Sequence, residues 1–423
     1  MPSIALGAAI GRHLGNRRGR GKLSSVPDVY ESVCHLSGAG PDPVGFVVTP
    51  AVHQPKAVGR GKMPAQAFIN RIAAAVPENG VHRFFLQFAG SQLTADPRRR
   101  AIFDRMADRC GIEHRYSCFA PADDPEGPSV DLEGVFKRGA FPGTAKRMEM
   151  FAATAPALAE RAVEKLLHGQ DRSRITHLIV TTCTGFSAPG LDLEIIARCN
   201  LPTSIERTII GFMGCYAAIN ALKQARHIIR SEPEARVLVV SIELCTLHLK
   251  ETSDLEKLLS FCLWGDGCSA ASVSASPFGI GLDSFHALVD AGSRDLMSWN
   301  IHDDGFDMVL SGEVPAAIHH ALGIDICSIL GNKSVSDVDL WAVHPGGRSV
   351  LDAVERALNL RADALSASRE VLRENGNMSS ATVMFVLERM LREATKEDRV
   401  GCAMAFGPGL TTETMMFHTA GNT

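Results

Sequence analysis

Cys215 stands in the run Gly211-Phe212-Met213-Gly214-Cys215-Tyr216-Ala217-Ala218, at the head of an apolar-periodic stretch that predicts a helix over 215–230. A thiol at a helix N-terminus sits at the positive end of the helix dipole, beside N–H groups without intrahelical partners, and both favour the thiolate. Gly214 allows a sharp turn before the helix and leaves room for an acyl group. By itself such a cysteine reads more often as a small buried hydrophobe. Two further junctions make it a candidate nucleophile. His344 follows the apolar run 338–343 and leads into a Pro345-Gly346-Gly347 turn. Asn377 lies in the polar turn 375–380, which opens an amphipathic helix over 381–394. An imidazole can take up a thiol proton and donate from its ring, and an amide at a helix start can donate to a developing oxyanion. Singly, His344 reads as a strand end and Asn377 as a helix cap. Together they are three reactive residue types placed where regular structure stops, which is where catalytic groups concentrate.

The elements that must position these residues alternate between two periods. Strand-like runs occupy 177–182, 236–242, 340–344 and 400–406, and helical patterns occupy 153–167, 215–230, 315–322 and 349–358. This alternation predicts an α/β protein. The stretch 120–143, rich in Pro, Gly and Asp, reads as a long surface loop. No linker separates independent domains, and no internal repeat is visible. With 423 residues, 45% hydrophobic and 21% charged, the chain has the composition of a soluble globular protein with a large core. A net charge of −4 gives no case for nucleic-acid binding. The 11 cysteines lack paired spacing and read as reduced thiols of a cytoplasmic protein. No metal-binding pattern is found, and no apolar run approaches the roughly 20 residues of a membrane span. Residues 1–30 carry a basic, glycine-rich segment and read as a disordered tail.

With these residues in place the chain resembles the type III polyketide synthases, the chalcone and stilbene synthase family, in its bacterial form. The resemblance rests on Gly214-Cys215-Tyr216-Ala217, Trp341-Ala342-Val343-His344-Pro345-Gly346-Gly347, Gly376-Asn377-Met378-Ser379-Ser380 and Phe406-Gly407-Pro408-Gly409-Leu410. Thr181-Thr182-Cys183-Thr184-Gly185 and Trp264-Gly265-Asp266-Gly267 fit the same template, in order, from about residue 40 to the C-terminus. It implies a thiolase-like fold: two similar halves, 31–275 and 276–423, in a five-layer α-β-α-β-α arrangement. The first half carries the nucleophile and the second the histidine and asparagine.

The resemblance also implies the chemistry. Cys215, held as a thiolate by His344 and its helix, takes an acyl group from a starter acyl-CoA. Malonyl-CoA then loses carbon dioxide, and His344 and Asn377 donate to the resulting enolate oxygen. The enolate attacks the cysteine-bound acyl group, and the cycle repeats before cyclisation. No cofactor is implied, because coenzyme A thioesters are the substrates, and a homodimer is implied. Arg105 and Arg109 fall where the family binds the coenzyme A phosphates; a third basic position falls on Ile102, with Arg100 as its stand-in.

Departures from the family pattern bear on substrate and product. The gatekeeper positions fall on Trp264 and Met308, and cavity positions fall on Cys183, His248 and Trp299, with Ser379 retained. His248 reads equally well as a satisfied core histidine. Phe406, Gly407 and Pro408 belong to the cyclisation surface, where Ala405 replaces a glycine. These substitutions favour aliphatic acyl-CoA starters and alkylpyrone or alkylresorcinol products. The alternatives are a tetrahydroxynaphthalene-type synthase using malonyl-CoA alone, and a single-step ketoacyl synthase of the same fold that depends on acyl carrier protein.

Overall fold

The computed structural model describes residues 64–393 and 398–421. The basic tail read at 1–30 lies outside them. A nine-stranded sheet runs in the order Leu340–Val343, Val400–Gly407, Thr411–Ala420, Gly279–Val289, Phe68–Ala75, Asp266–Ser274, Val237–Leu244, His177–Thr182, Glu206–Gly211. It consists of two sheets meeting at a corner. Phe68–Ala75 pairs along its length with Asp266–Ser274 but touches Gly279–Val289 only through Phe68 and Ile69.

Each half repeats one pattern, with parallel strands toward the outer edge and antiparallel strands toward the junction. Val237–Leu244 is buried at every position, so its sequence is a continuous apolar run interrupted by Ser241 and Glu243. Helices Ala217–Ser231 and Ser380–Glu393 lie between the two sheets. Their apolar residues join Val239 and Val273 from one sheet and Ala403, Met415 and Phe417 from the other in a single central core. Helix Ser380–Glu393 is apolar over most of its circumference because it has sheet on both sides. Helix Thr144–Leu167 covers the outer face of the first sheet, and helices Val314–Leu330 and Arg348–Ala357 pack over the second. The result is the five-layer arrangement of a thiolase-like fold.

Most predicted elements are present with shifted ends: 153–167 extends to Thr144–Leu167, 315–322 to Val314–Leu330, and 349–358 is Arg348–Ala357. The helix read over 215–230 begins later. Gly214–Tyr216 form a 3₁₀ turn, and the α-helix runs Ala217–Ser231. The stretch 120–143 is a loop, anchored by Asp131, whose carboxylate accepts from the amides of Val135 and Phe136.

Candidate active site

The nucleophile turn is built by close approach of two loops. The strand Glu206–Gly211 leads into Phe212 and Gly214, both at positive φ. A side chain at Gly214 would be strained at φ 72° and would meet Pro408 Cδ at 2.5 Å. From the other side, a Cβ at Gly407 would lie 2.7 Å from the Tyr216 ring and 3.4 Å from the Cys215 amide nitrogen. The loop at 406–408 therefore clasps the cysteine turn, and both contacts require glycine.

His344 continues the ladder of Leu340–Val343, its amide donating to Met404 O at 2.8 Å. The side chain is 1% exposed, and neither ring nitrogen has a hydrogen-bond partner among the described residues. Buried polar atoms are nearly always paired, so two orphans on one imidazole mark a group that awaits a partner. Asn377 pairs in parallel with Trp264: its amide donates to Leu263 O at 2.8 Å and its carbonyl accepts from Gly265 N at 3.0 Å. Its side chain is oriented at both ends. Oδ1 accepts from Ser379 N at 2.9 Å, and Nδ2 donates to Gly346 O at 3.1 Å, two residues from His344. One Nδ2 hydrogen remains for a ligand.

Burial governs the ionisation of the pair. It pushes the Cys215 thiol up to about 12, against a hydrogen bond from Ser379, and the His344 imidazole down to about 3. Both displacements favour neutral forms. Burial thus draws both groups toward their neutral forms, against the expected standing thiolate, and Cys215 lies in a 3₁₀ turn directly before the α-helix that starts at Ala217.

Cys215, Asn377, Ser379 and Pro408 line one enclosure of about 20 Å³ together with Cys183, Trp264, Trp299 and Met308. That is room for about one water. Trp299 is fixed by a 2.8 Å hydrogen bond from its indole to Cys183 O and by edge-on contact with Trp264, ring centroids 5.6 Å apart. Met308 faces Trp299 across the hairpin Met297–His302/Gly305–Leu310. His248 is not brought to the enclosure. Its Nε2 donates to Thr184 O at 2.8 Å, its Nδ1 accepts from Phe306 N at 3.1 Å, and its ring stacks on Phe306 at 4.2 Å. Burial lowers it to about 3, so it is a satisfied neutral core histidine. Phe406 is buried in the outer core of the second half, and Gly407 serves the clasp rather than the enclosure wall.

Sequence reading passed over three residues here. Thr184 and Cys245 line the enclosure. Glu243, fully buried behind it, accepts from Cys183 N and Thr184 Oγ1, both at 2.9 Å, and from Ser380 Oγ at 2.5 Å. The Cys183 thiol also contacts its carboxylate at 3.4 Å and the Ser379 hydroxyl at 3.3 Å. Burial raises Glu243 to about 7. The signal available was a carboxylate inside an otherwise apolar strand.

A groove of about 830 Å³ reaches the outer side of this centre, running from Met106 and Arg109 to Gly346 and Gly347. Leu263 and Gly346 line the groove, while Trp264 and Asn377 line the enclosure behind it. Arg109 lines the groove. Arg105 is exposed on the same segment, donates to Ala101 O at 3.2 Å and does not line it. Arg100, the expected stand-in, does not line the groove: it pairs with Asp104 at 2.9 Å, and its guanidinium packs against Gly90.

A two-sheet α/β core with a buried thiol and amide on one enclosure, and a buried imidazole two residues from the Gly346 carbonyl that holds the amide, defines a thiolase-fold condensing enzyme. Residues 58–277 match the N-terminal domain of the chalcone and stilbene synthases, and residues 287–421 match their C-terminal domain. The chain belongs to this family and is a type III polyketide synthase, an acyltransferase. It is 33% identical over 366 residues to the alpha-pyrone synthesis polyketide synthase-like Pks18 of Mycobacterium tuberculosis, covering 83% of this chain and 91% of that protein. PKS-I from the brown alga Ectocarpus siliculosus superposes with a TM-score of 0.76 at 26% identity, over 85% of this chain and all of that one. The C-terminal type III domain of Steely1 from Dictyostelium superposes with a TM-score of 0.76 at 23% identity, over 84% and 99% of the two chains. Among the described residues no helix is long and apolar enough to cross a membrane.

Proposed function

We propose that this enzyme loads an aliphatic acyl-CoA starter onto Cys215, extends it iteratively with malonyl-CoA and closes the product as an α-pyrone. The observation that carries the proposal is that Cys215 and the oriented amide of Asn377 line one enclosure, while Asn377 is tied through Gly346 O to the turn that follows His344, whose buried imidazole has no partner among the described residues. The Cys215 thiol passes its proton to His344 as sulfur attacks the thioester carbonyl. Coenzyme A departs and takes that proton, leaving the acyl group on sulfur and His344 neutral. Malonyl-CoA then loses carbon dioxide, and the electrons of the broken C–C bond form a thioester enolate. The ring N–H of His344 and the free Nδ2 hydrogen of Asn377 donate to its oxygen, each contributing roughly 3–4 kcal/mol in a dry site. The enolate carbon attacks the acyl carbonyl and Cys215 leaves as thiolate, ready to accept the lengthened chain.

Two features support a pyrone over larger aromatic products. The named activity of the Mycobacterium relative is alpha-pyrone synthesis. Trp299, held by Cys183 O and Trp264, also leaves little depth for a long folded chain. Only coenzyme A thioesters enter as substrates, and no cofactor takes part. We take the halves to meet at residues 275–276, so that Cys215 comes from one and His344 and Asn377 from the other. A homodimer is supported by the edge strand Glu206–Gly211, whose outer side has no neighbouring strand among the described residues and is flanked by exposed Phe186, Leu193, Ile209 and Met213. A cytoplasmic site is supported by the ten described cysteines, all free thiols.

The test is incubation with malonyl-CoA and a panel of acyl-CoA starters, with products read by mass. Alkylpyrones that depend on an aliphatic starter are expected. A single aromatic product from malonyl-CoA alone would replace this reading with a tetrahydroxynaphthalene-type synthase. Activity only with acyl carrier protein would replace it with a single-step condensing enzyme.

A further inference from the structure

We infer that Arg348 is a phosphate-binding residue of the groove, taking with Arg109 the nucleotide phosphates of coenzyme A. The inference rests on the proposed use of coenzyme A thioesters. The two arginines come from different elements and meet at one wall. Arg109 follows the helix Pro97–Ala107, and Arg348 opens the helix Arg348–Ala357 directly after the Pro345-Gly346-Gly347 turn. The Arg348 guanidinium reaches the Arg109 carbonyl at 3.4 Å, and its stem passes 3.9 Å from where a Cβ on Gly111 would stand.

Arg348 is held loosely. Its side chain is 55% exposed, and its one acidic contact is Asp352 at 3.6 Å. Asp352 is held more tightly by Arg369, at 2.7 Å, so its charge is largely met without Arg348. The other groove acid is Glu256, which makes no ion pair among the described residues. The remaining basic candidates are spent or displaced: Arg100 on Asp104, Arg105 outside the groove lining, and the third position occupied by Ile102. A ligand with several phosphates entering this groove therefore meets Arg109 and Arg348 as its cations. A planar guanidinium suits a phosphate that it can grip through two N–H groups.

The chain geometry ties this contact to catalysis. Arg348 is four residues from His344 and two from Gly346, whose carbonyl accepts from Asn377. A phosphate held by Arg348 and Arg109 thus lies on the same groove lining as Gly346 and Gly347. The pantetheine arm would run along the groove between them.

The experiment is calorimetric titration of the full chain with coenzyme A, comparing wild type with Arg348→Ala, Arg348→Lys and Arg348→Glu. Pantetheine, which lacks phosphates, is the control ligand, and thermal melts report folding. Alanine is expected to weaken coenzyme A binding about tenfold, lysine to recover most of the loss and glutamate to weaken it further. The losses should shrink as salt rises. Equal binding by wild type and Arg348→Ala overturns the inference, as does an equal loss for pantetheine, which marks a structural role. A wild-type protein that binds no coenzyme A overturns the substrate reading itself, a result distinct from failure at Arg348 alone.

Discussion

Replacing Glu243 with glutamine should remove a defined part of the protein's pH-dependent stability. The carboxyl is fully buried, and burial raises it from 4.5 to about 7. The folded chain therefore holds a proton that the unfolded chain releases above pH 4.5. The associated stability is fully present below pH 4.5 and is lost as pH rises through 7. That displacement corresponds to about 3 kcal/mol, most of it lost between pH 5 and pH 8. Glutamine can keep the network. Its carbonyl can accept from Cys183 N and Thr184 Oγ1, while its amide faces Ser380 Oγ, a hydroxyl that can turn to accept. Urea unfolding at pH 5 and pH 8 measures the effect: wild type should lose about 3 kcal/mol more than Glu243→Gln across that interval. Asp266, raised to about 6 by burial, contributes equally to both proteins and cancels in the comparison. An identical pH dependence in the two proteins would refute the reasoning, because it would mean that Glu243 is already ionised in the fold.

Four further outcomes are expected. Alkylation of Cys215 by iodoacetamide should accelerate about tenfold per pH unit from pH 6 to 9, as befits a thiol raised to about 12; a plateau below pH 7 would reveal a thiolate–imidazolium pair instead. Asn377→Ala should slow malonyl-CoA decarboxylation by about 10²–10³ while Cys215 still accepts a starter. Unchanged carbon dioxide release would remove Asn377 from the oxyanion role. Trp299→Ala, which frees Cys183 O and opens the enclosure, should shift products toward more extensions or longer starters. An unaltered product profile would show that depth is set elsewhere. Ile209→Arg on the exposed edge strand should convert a dimer to monomer in sedimentation; a variant that sediments as wild type would move the interface to another face.

The reactive residues were legible before any fold was in hand. Cys215, His344 and Asn377 each lie at a junction of regular structure, and local signals such as Gly214, Pro345-Gly346-Gly347 and Gly376 are written in a few adjacent residues. The helices at 153–167 and 349–358 announced themselves because one face is buried and one is wet, which prints a 3.6-residue period. The strand Asp266–Ser274 did not. Its residues are mostly small and of low strand propensity, and it is held by pairing to Phe68–Ala75 on one side and Val237–Leu244 on the other, both distant in sequence. The same holds for Gly279–Val289 and Thr411–Ala420, which pair with each other across more than a hundred residues.

What tertiary structure alone decided is environment. The Pro345-Gly346-Gly347 turn marks His344 in the sequence, but only the fold leaves both its ring nitrogens without partners among the described residues while Thr184 and Phe306 satisfy those of His248. Glu243 reads as one charge in an apolar strand until Cys183, Thr184 and Ser380 are brought around it by three separate segments. Arg100 and Arg348 each face an aspartate four residues on, Asp104 and Asp352; of the two, the fold sets Arg348 on the groove lining. Residue type and local spacing determine which chemistry is available. Burial, hydrogen-bond partners and cavity walls depend on residues far apart in the chain, and they decide which of those groups can use it.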